Sequence, residues 1–243
     1  MISNLLFAQY SRFPVSGVVE YEKTINMFAI LKRKTDLDNG PFGKQAFESY
    51  KKNHQQFKKL KSTLTFSANK TLFTPLKDTE PASNNFLAQD PSDNIIYTDF
   101  ATAQSISQKI VFEETFLLKD SVRKINWKIT DETREIAGYQ CRRANAIILD
   151  SVYVVAFYTD QIPISGGPES FTGLPGLILG VALPHENITW FATLVKDVAV
   201  PATTVIAPKK GKATNYKDLL ATLQNAIKSW GTYGQAALKV FLL

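Results

Sequence analysis

Between Ile95 and Thr159 apolar and polar residues alternate in short runs, and turn signals interrupt them roughly every eight to twelve residues without an intervening helical pattern. The runs are Ile95–Phe100, Ala103–Phe112, Thr115–Leu118, Val122–Ile129, Glu135–Ile136, Tyr139–Ile147 and Val152–Thr159, with turns at Lys119-Asp120, Asp131-Glu132 and Gly138. Successive strand side chains point to opposite faces, so alternation marks half-buried strands. Parallel neighbours need a long crossover, so strands that follow one another this closely must meander antiparallel. The same period opens the chain in Gly17–Phe28, with Val19, Tyr21, Lys23, Ile25 and Met27 on one side. Ser62–Ser67 and Lys70–Leu76 read as a hairpin about Ala68-Asn69. Leu177–Leu183 and Ile188–Val200 read as a closing pair joined through Pro184-His185-Glu186-Asn187.

Two segments carry the helical period instead. In Phe42–Lys61, Ala46, Phe47, Tyr50, His54, Phe57 and Leu60 recur every three or four residues among lysines, predicting an amphipathic helix of about five turns. Tyr216, Leu219, Leu220, Leu223, Ile227 and Trp230 form a second stripe, with Asn215 and Asp218 resembling a cap and Gly231 a stop. Lys32–Gly43 reads as a charged turn region, Pro75–Pro91 as a surface loop, and the apolar tail Ala236–Leu243 has no assignment. No repeat or linker divides the 243 residues, and the expectation is one domain over 10–243. The fold class expected is mainly β with α: a single antiparallel sheet covered by two amphipathic helices.

Composition narrows the chemistry. One cysteine and two histidines cannot build a zinc ribbon or a His-rich centre, so no metal or cofactor is expected. The net charge of +6 comes largely from lysines on the polar side of a helix, without a nucleic-acid motif, so no nucleic-acid partner is expected; such charge also suits work near an anionic membrane surface. No run of 18 apolar residues occurs, so no membrane-spanning helix is expected. Residues 1–9, ending Leu5-Leu6-Phe7-Ala8-Gln9, read as the remnant of a secretory signal. Cys141 lies mid-strand and reads as a small buried residue.

Catalytic constellations are thin. His185-Glu186 offers an acid and a base with no accompanying nucleophile. Glu113-Glu114 are consecutive on a strand and face opposite ways. Ser165-Gly166-Gly167 lacks the surroundings of a nucleophile elbow. The expected protein is therefore not an enzyme, a hydrolase being the alternative. The densest feature is the loop Asp160–Gly176, where seven of 17 residues are proline or glycine, against 23 of 243 in the chain, interleaved with Ile162, Ile164, Phe171 and Leu174. Leu174-Pro175-Gly176-Leu177 has the order of a type II turn. Pro168, Phe171, Gly173, Leu174, Pro175 and Gly176 are the candidate binding residues, as a rigid lip or docking surface.

The stretch Phe171-Thr-Gly-Leu-Pro-Gly-Leu-Ile-Leu179, with Gly138-Tyr-Gln-Cys141-Arg-Arg-Ala144, Phe116–Asp120, Ile125–Ile136 and Val18–Glu22, resembles the GLPGLI family of exported Gram-negative bacterial proteins. Phe157 stands where that family commonly has tryptophan. The resemblance covers residues 16 to about 230. It implies a signal peptide, a periplasmic or outer-membrane location, and a strongly curved half-barrel similar to bacterial lipid and lipoprotein carriers. The expected function is non-catalytic binding of a lipid-like or peptide ligand; the alternative is an accessory subunit for an outer-membrane protein partner.

Overall fold

The computed structural model describes residues 13–38, 40–76, 94–111, 114–228, 238–239 and 241–242. The expected signal remnant, most of the Pro75–Pro91 loop, Glu113, Trp230 and Gly231 lie outside them.

Twelve strands form one open sheet: β1 (Ser16–Asn26), β2 (Phe57–Ser67), β3 (Lys70–Pro75), β4 (Ile95–Asp99), β5 (Gln104–Val111), β6 (Glu114–Ser121), β7 (Lys128–Ile136), β8 (Tyr139–Ile148), β9 (Val152–Thr159), β10 (Leu177–Leu183), β11 (Ile188–Lys196) and β12 (Lys212–Thr214). Their order is β12-β6-β5-β4-β3-β2-β1-β11-β10-β9-β8-β7. Two antiparallel meanders, β1–β6 and β7–β11, therefore run outward from a central seam where β1 pairs with β11, Ile25 opposite Ile188 and Lys23 opposite Trp190. Every pairing is antiparallel except β12 on β6. Burial alternates along all 11 residues of β1, with Val19, Tyr21, Lys23 and Ile25 inward, as the alternation predicts.

The helices depart from the expected pair. There are three among the described residues: α1 (Met27–Asp38), α2 (Pro41–Asn53) and α3 (Tyr216–Ala226). β1 stops at Asn26 because the Asn26 side chain accepts from the Ala29 amide at 3.1 Å, an N-cap that turns Met27 and Phe28 into a helix and replaces the expected charged turn. The expected helix 42–61 ends at Asn53, and Phe57 and Leu60 belong to β2 instead. Their backbone continues the β2 ladder along β1, Asn26 to Phe57 and Lys23 to Leu60, and that tertiary pairing overrides the local period. Tyr50 still packs on the core, with Phe28 edge-on at 6.3 Å.

A second correction concerns Val122–Ile129: residues 122–127 are irregular and β7 begins at Lys128. The motif loop claims this segment, since Trp127 Nε1 donates to the Thr172 carbonyl at 2.8 Å. The turn expected at Asp131-Glu132 is a register shift within β7. Asn215 caps α3 as expected, accepting from the Asp218 amide at 2.9 Å.

Buried side chains gather in three clusters. One centres on Trp190, Tyr158 and Val181; another joins Val19, Tyr21, Leu64 and Phe73 to Ile136; a third packs Leu219 and Leu223 of α3, with Ile227 just past its end, against Val111, Phe116 and Leu118. Leu238 and Leu242 of the unassigned tail complete the third cluster. The motif loop contributes Phe171 and Leu174 to the first cluster and Ile162 and Ile164 to the second.

Candidate functional site

The pairing registers of β4, β5 and β6 place Thr98 opposite Ser105, Ser107 opposite Leu118 and Lys109 opposite Phe116, so Thr98, Ser105, Ser107, Lys109, Leu118 and Asp120 share one face. These residues, Phe116 aside, floor a cavity of about 610 Å³. Its other walls are Ser121–Asn126, the β8–β9 hairpin tip Ile147–Asp150, Ser170 and Thr172 of the motif loop, Tyr216 and Leu219 of α3, and Phe241 and Leu242 of the tail. This volume lies within the range of small-molecule sites.

Left-handed backbone occurs at the hairpin tip beside the cavity, as it does at Ala68, Ala103, Ala137 and Asn187 in other turns. Leu149 and Asp150 at the hairpin tip have φ of 49° and 62°, two successive left-handed residues without a glycine. This primed turn lets Leu149 pack against both the first and third clusters. Glu169, in the motif loop, also sits at positive φ, 51°, and is buried.

A group of charges lies buried together. Asn94 Nδ2 donates to Glu169 Oε2 at 3.2 Å. Lys109, 6% exposed, donates from Nζ to the Phe241 carbonyl at 3.2 Å. Burial lowers the Lys109 pKa from 10.5 to about 8; the Glu169 carboxylate opposes this, while Arg123 and Lys23 push it further down. Lys23 is itself buried, its Nζ 5.0 Å over the Trp190 ring. Arg123 donates from Nη2 to the Leu242 carbonyl at 2.6 Å and stacks 6.0 Å from the Tyr216 ring; its Nη1 is buried and has no hydrogen-bond partner among the described residues.

The Lys109 shift carries a sign that can be tested. The folded state holds Lys109 at about 8 and the unfolded chain near 10.5, so between these values the unfolded state binds more protons. Stability contributed by this group should therefore rise through that interval by about 3 kcal/mol and be at its lowest, and flat, below pH 8. Urea unfolding of wild type and Lys109→Met at pH 7.5 and 10 measures it. The wild-type protein should gain relative to the variant, and equal pH dependence in both would refute the burial.

The six motif residues chosen from the sequence do not line the cavity. Pro168, Phe171, Leu174 and Gly176 are buried, and only Gly173 and Pro175 are exposed. Phe171 meets Trp190 edge-on at 5.9 Å. Nor is Leu174-Pro175-Gly176-Leu177 a type II turn. The Gly176 amide donates to the Leu174 carbonyl at 2.8 Å, closing a tighter turn about Pro175, while the Leu177 amide goes to Ile162 at 3.0 Å. Gly173 does take a positive φ of 95°.

The other sequence candidates have structural roles. Ser165 Oγ donates to the Leu174 carbonyl at 2.8 Å, pinning the loop. Glu186 accepts from Arg33 at 3.0 Å and the His185 carbonyl accepts from Arg33 at 2.8 Å, which holds α1 to the β10–β11 connection. His54 is exposed and stacked on Tyr50 at 4.2 Å. Glu114 lies 3.7 Å from Lys212. Cys141 is fully buried, and burial pushes its thiol up to about 12. Among the described residues no three His, Cys, Asp or Glu side chains are grouped to hold a metal, and no helix is long and apolar enough to cross a membrane.

Sequence reasoning missed Lys109, Arg123 and Glu169. One signal was present: Lys109 shares its strand face with Ser105 and Ser107, a polar stripe opposite the face that carries Ile106 and Ile110.

Comparison with known proteins speaks to fold and family. No curated protein matches the chain. Two crystal structures of PNGF-II, in the C2 and P21 space groups, superpose with TM-scores of 0.53 and 0.51 at 18% identity, covering 84% of this chain and 32% of that one. The chain thus spans about a third of the PNGF-II chain, and the likeness is one of fold. Residues 148–180, from the β8–β9 tip through the motif loop into β10, match the model of a family of proteins of unknown function, Porph_ging.

Proposed function

We propose that this chain is a non-catalytic binding protein of the bacterial cell envelope, of the GLPGLI type, which holds a small ligand with an apolar body in the cavity beneath α3. The observation that carries the reading is the cavity itself: about 610 Å³, with hydroxyls of Thr98, Ser105 and Ser107 on its floor and Ile125, Leu149, Leu219 and Phe241 around them. An apolar body contributes about 25 cal/mol per Å² buried, and scattered hydroxyls orient it. The reading includes a strongly curved, half-barrel sheet. Its support is the second cluster, which joins Phe73 of β3 and Ile96 of β4 to Ile136 of β7, an edge strand on the other side of the seam.

Native mass spectrometry of protein purified from its own envelope tests this. A bound mass of a few hundred daltons, displaced on unfolding, is the expected result. An empty chain accompanied by a stoichiometric protein would overturn it in favour of a subunit of an outer-membrane assembly.

A further inference from the structure

We propose that Lys109 captures an aldehyde: its Nζ condenses with the carbonyl of a ligand whose apolar body fills the cavity, forming a reversible imine. The inference rests on the binding reading above and adds the reactive group of the ligand.

Three observations place a usable amine there. The first is position. Lys109 lies on the floor of the cavity, on one strand face with Ser105 and Ser107, and the Phe241 carbonyl that accepts from its Nζ at 3.2 Å belongs to a residue of another wall. The nitrogen therefore sits where the floor and the tail meet at the cavity. The second is that this acceptor is neutral. A carbonyl oxygen, unlike a carboxylate, does not hold the proton on the nitrogen by charge. The third is protonation. Burial holds Lys109 at about 8 against the pull of the Glu169 carboxylate, and Arg123 and Lys23 act in the same direction as burial. At pH 8 about half of the amine is then neutral, whereas a lysine in water is an ammonium at that pH.

A desolvated lysine amine is a nucleophile suited to carbonyl carbon. The neutral Nζ adds its lone pair to that carbon, forming the C–N bond, and the carbonyl oxygen takes one of the two amine protons. The hydroxyl so formed leaves as water with the other proton, and the C=N bond takes its place. Amine and aldehyde give imine and water, with no oxidant or reductant. A buried ammonium is costly and the imine is uncharged, so burial of Lys109 favours the product as well as the attack. Ile125, Leu149 and Leu219 give the apolar body its wall.

The test is chemical trapping. The full chain at pH 8 is treated with decanal and sodium cyanoborohydride, which reduces an imine to a stable secondary amine, and the modified lysines are mapped by peptide mass spectrometry. Lys109 should take the decyl group at least about tenfold faster than any other lysine, including Lys124, the exposed lysine of the same cavity. Decanol, which fills the cavity without reacting, should slow the labelling of Lys109 and leave surface lysines unchanged. In Lys109→Met the fast adduct should vanish, with thermal melts showing that the variant folds; the mapping on the wild-type chain needs no variant. Labelling of Lys109 no faster than Lys124 would overturn the covalent capture, while calorimetric binding of decanol would leave the cavity reading standing. Fast labelling that decanol does not slow would place the reaction outside the cavity and overturn the proposal. Neither labelling of Lys109 nor binding of decanol would overturn both readings.

Discussion

Gly176→Ala should destabilise the protein by about 3 kcal/mol or more, lowering the melting midpoint by roughly 6–12 °C. The cause is proximity. A Cβ built at Gly176 would lie 2.0 Å from the Thr159 carbonyl oxygen, 2.7 Å from its carbon and 3.0 Å from Asp160 Cα, all backbone atoms that cannot swing aside. The turn about Pro175 presses residue 176 against the end of β9, and Leu177 then enters β10 opposite Thr159. Separating the two would break the start of the β9–β10 ladder. Gly138→Ala is the internal control: Gly138 has φ of 83° and nothing within 4 Å of its Cβ position, so its cost is conformational, about 1 kcal/mol. Circular-dichroism melts that place the two variants together would remove the close-approach argument.

The other large effect is expected at Glu169. Glu169→Ala should cost about 3–5 kcal/mol, because it removes the buried carboxylate that, among the described residues, offsets the charge of buried Lys109. It also leaves the Asn94 amide without its acceptor. Pairing it with Lys109→Met should recover a substantial part of the loss, since removing both partners of a buried interaction is far cheaper than removing one. Urea denaturation of the two single variants and the double variant closes the cycle. Additive losses would show that Glu169 and Lys109 are not coupled.

Several elements were legible from residue order for a plain reason: strand alternation is a local consequence of backbone geometry. β1, the β2–β3 hairpin, β4, β8, β9 and the β10–β11 pair follow the expected runs closely, and α3 its stripe and cap. The misreadings fall where two local signals compete. Phe57 and Leu60 continue a helical stripe begun at Ala46, yet they belong to β2, whose ladder along β1 runs from Asn26 to Ser16. Met27 continues an alternation, yet Asn26 caps a helix there.

The site was less legible, because its residues break the pattern that reveals strands. In β5 an apolar alternation read alone would bury Ile106 and Ile110; instead Ser107 and Lys109 are buried and Ile110 is 39% exposed. Which face of a strand is covered depends on what packs over it, here α3 and the C-terminal tail.

Residue order by itself determined that this chain makes antiparallel strands, roughly how many, and that a proline- and glycine-rich loop separates β9 from β10. Only the tertiary structure decided that β1 and β11 would meet at the centre. It also decided that Glu169, 60 positions away, would lie close enough to Lys109 for their charges to act on each other. Local preferences act over a few residues, whereas the burial of a charge depends on every element that closes around it, and no short stretch of sequence contains that information.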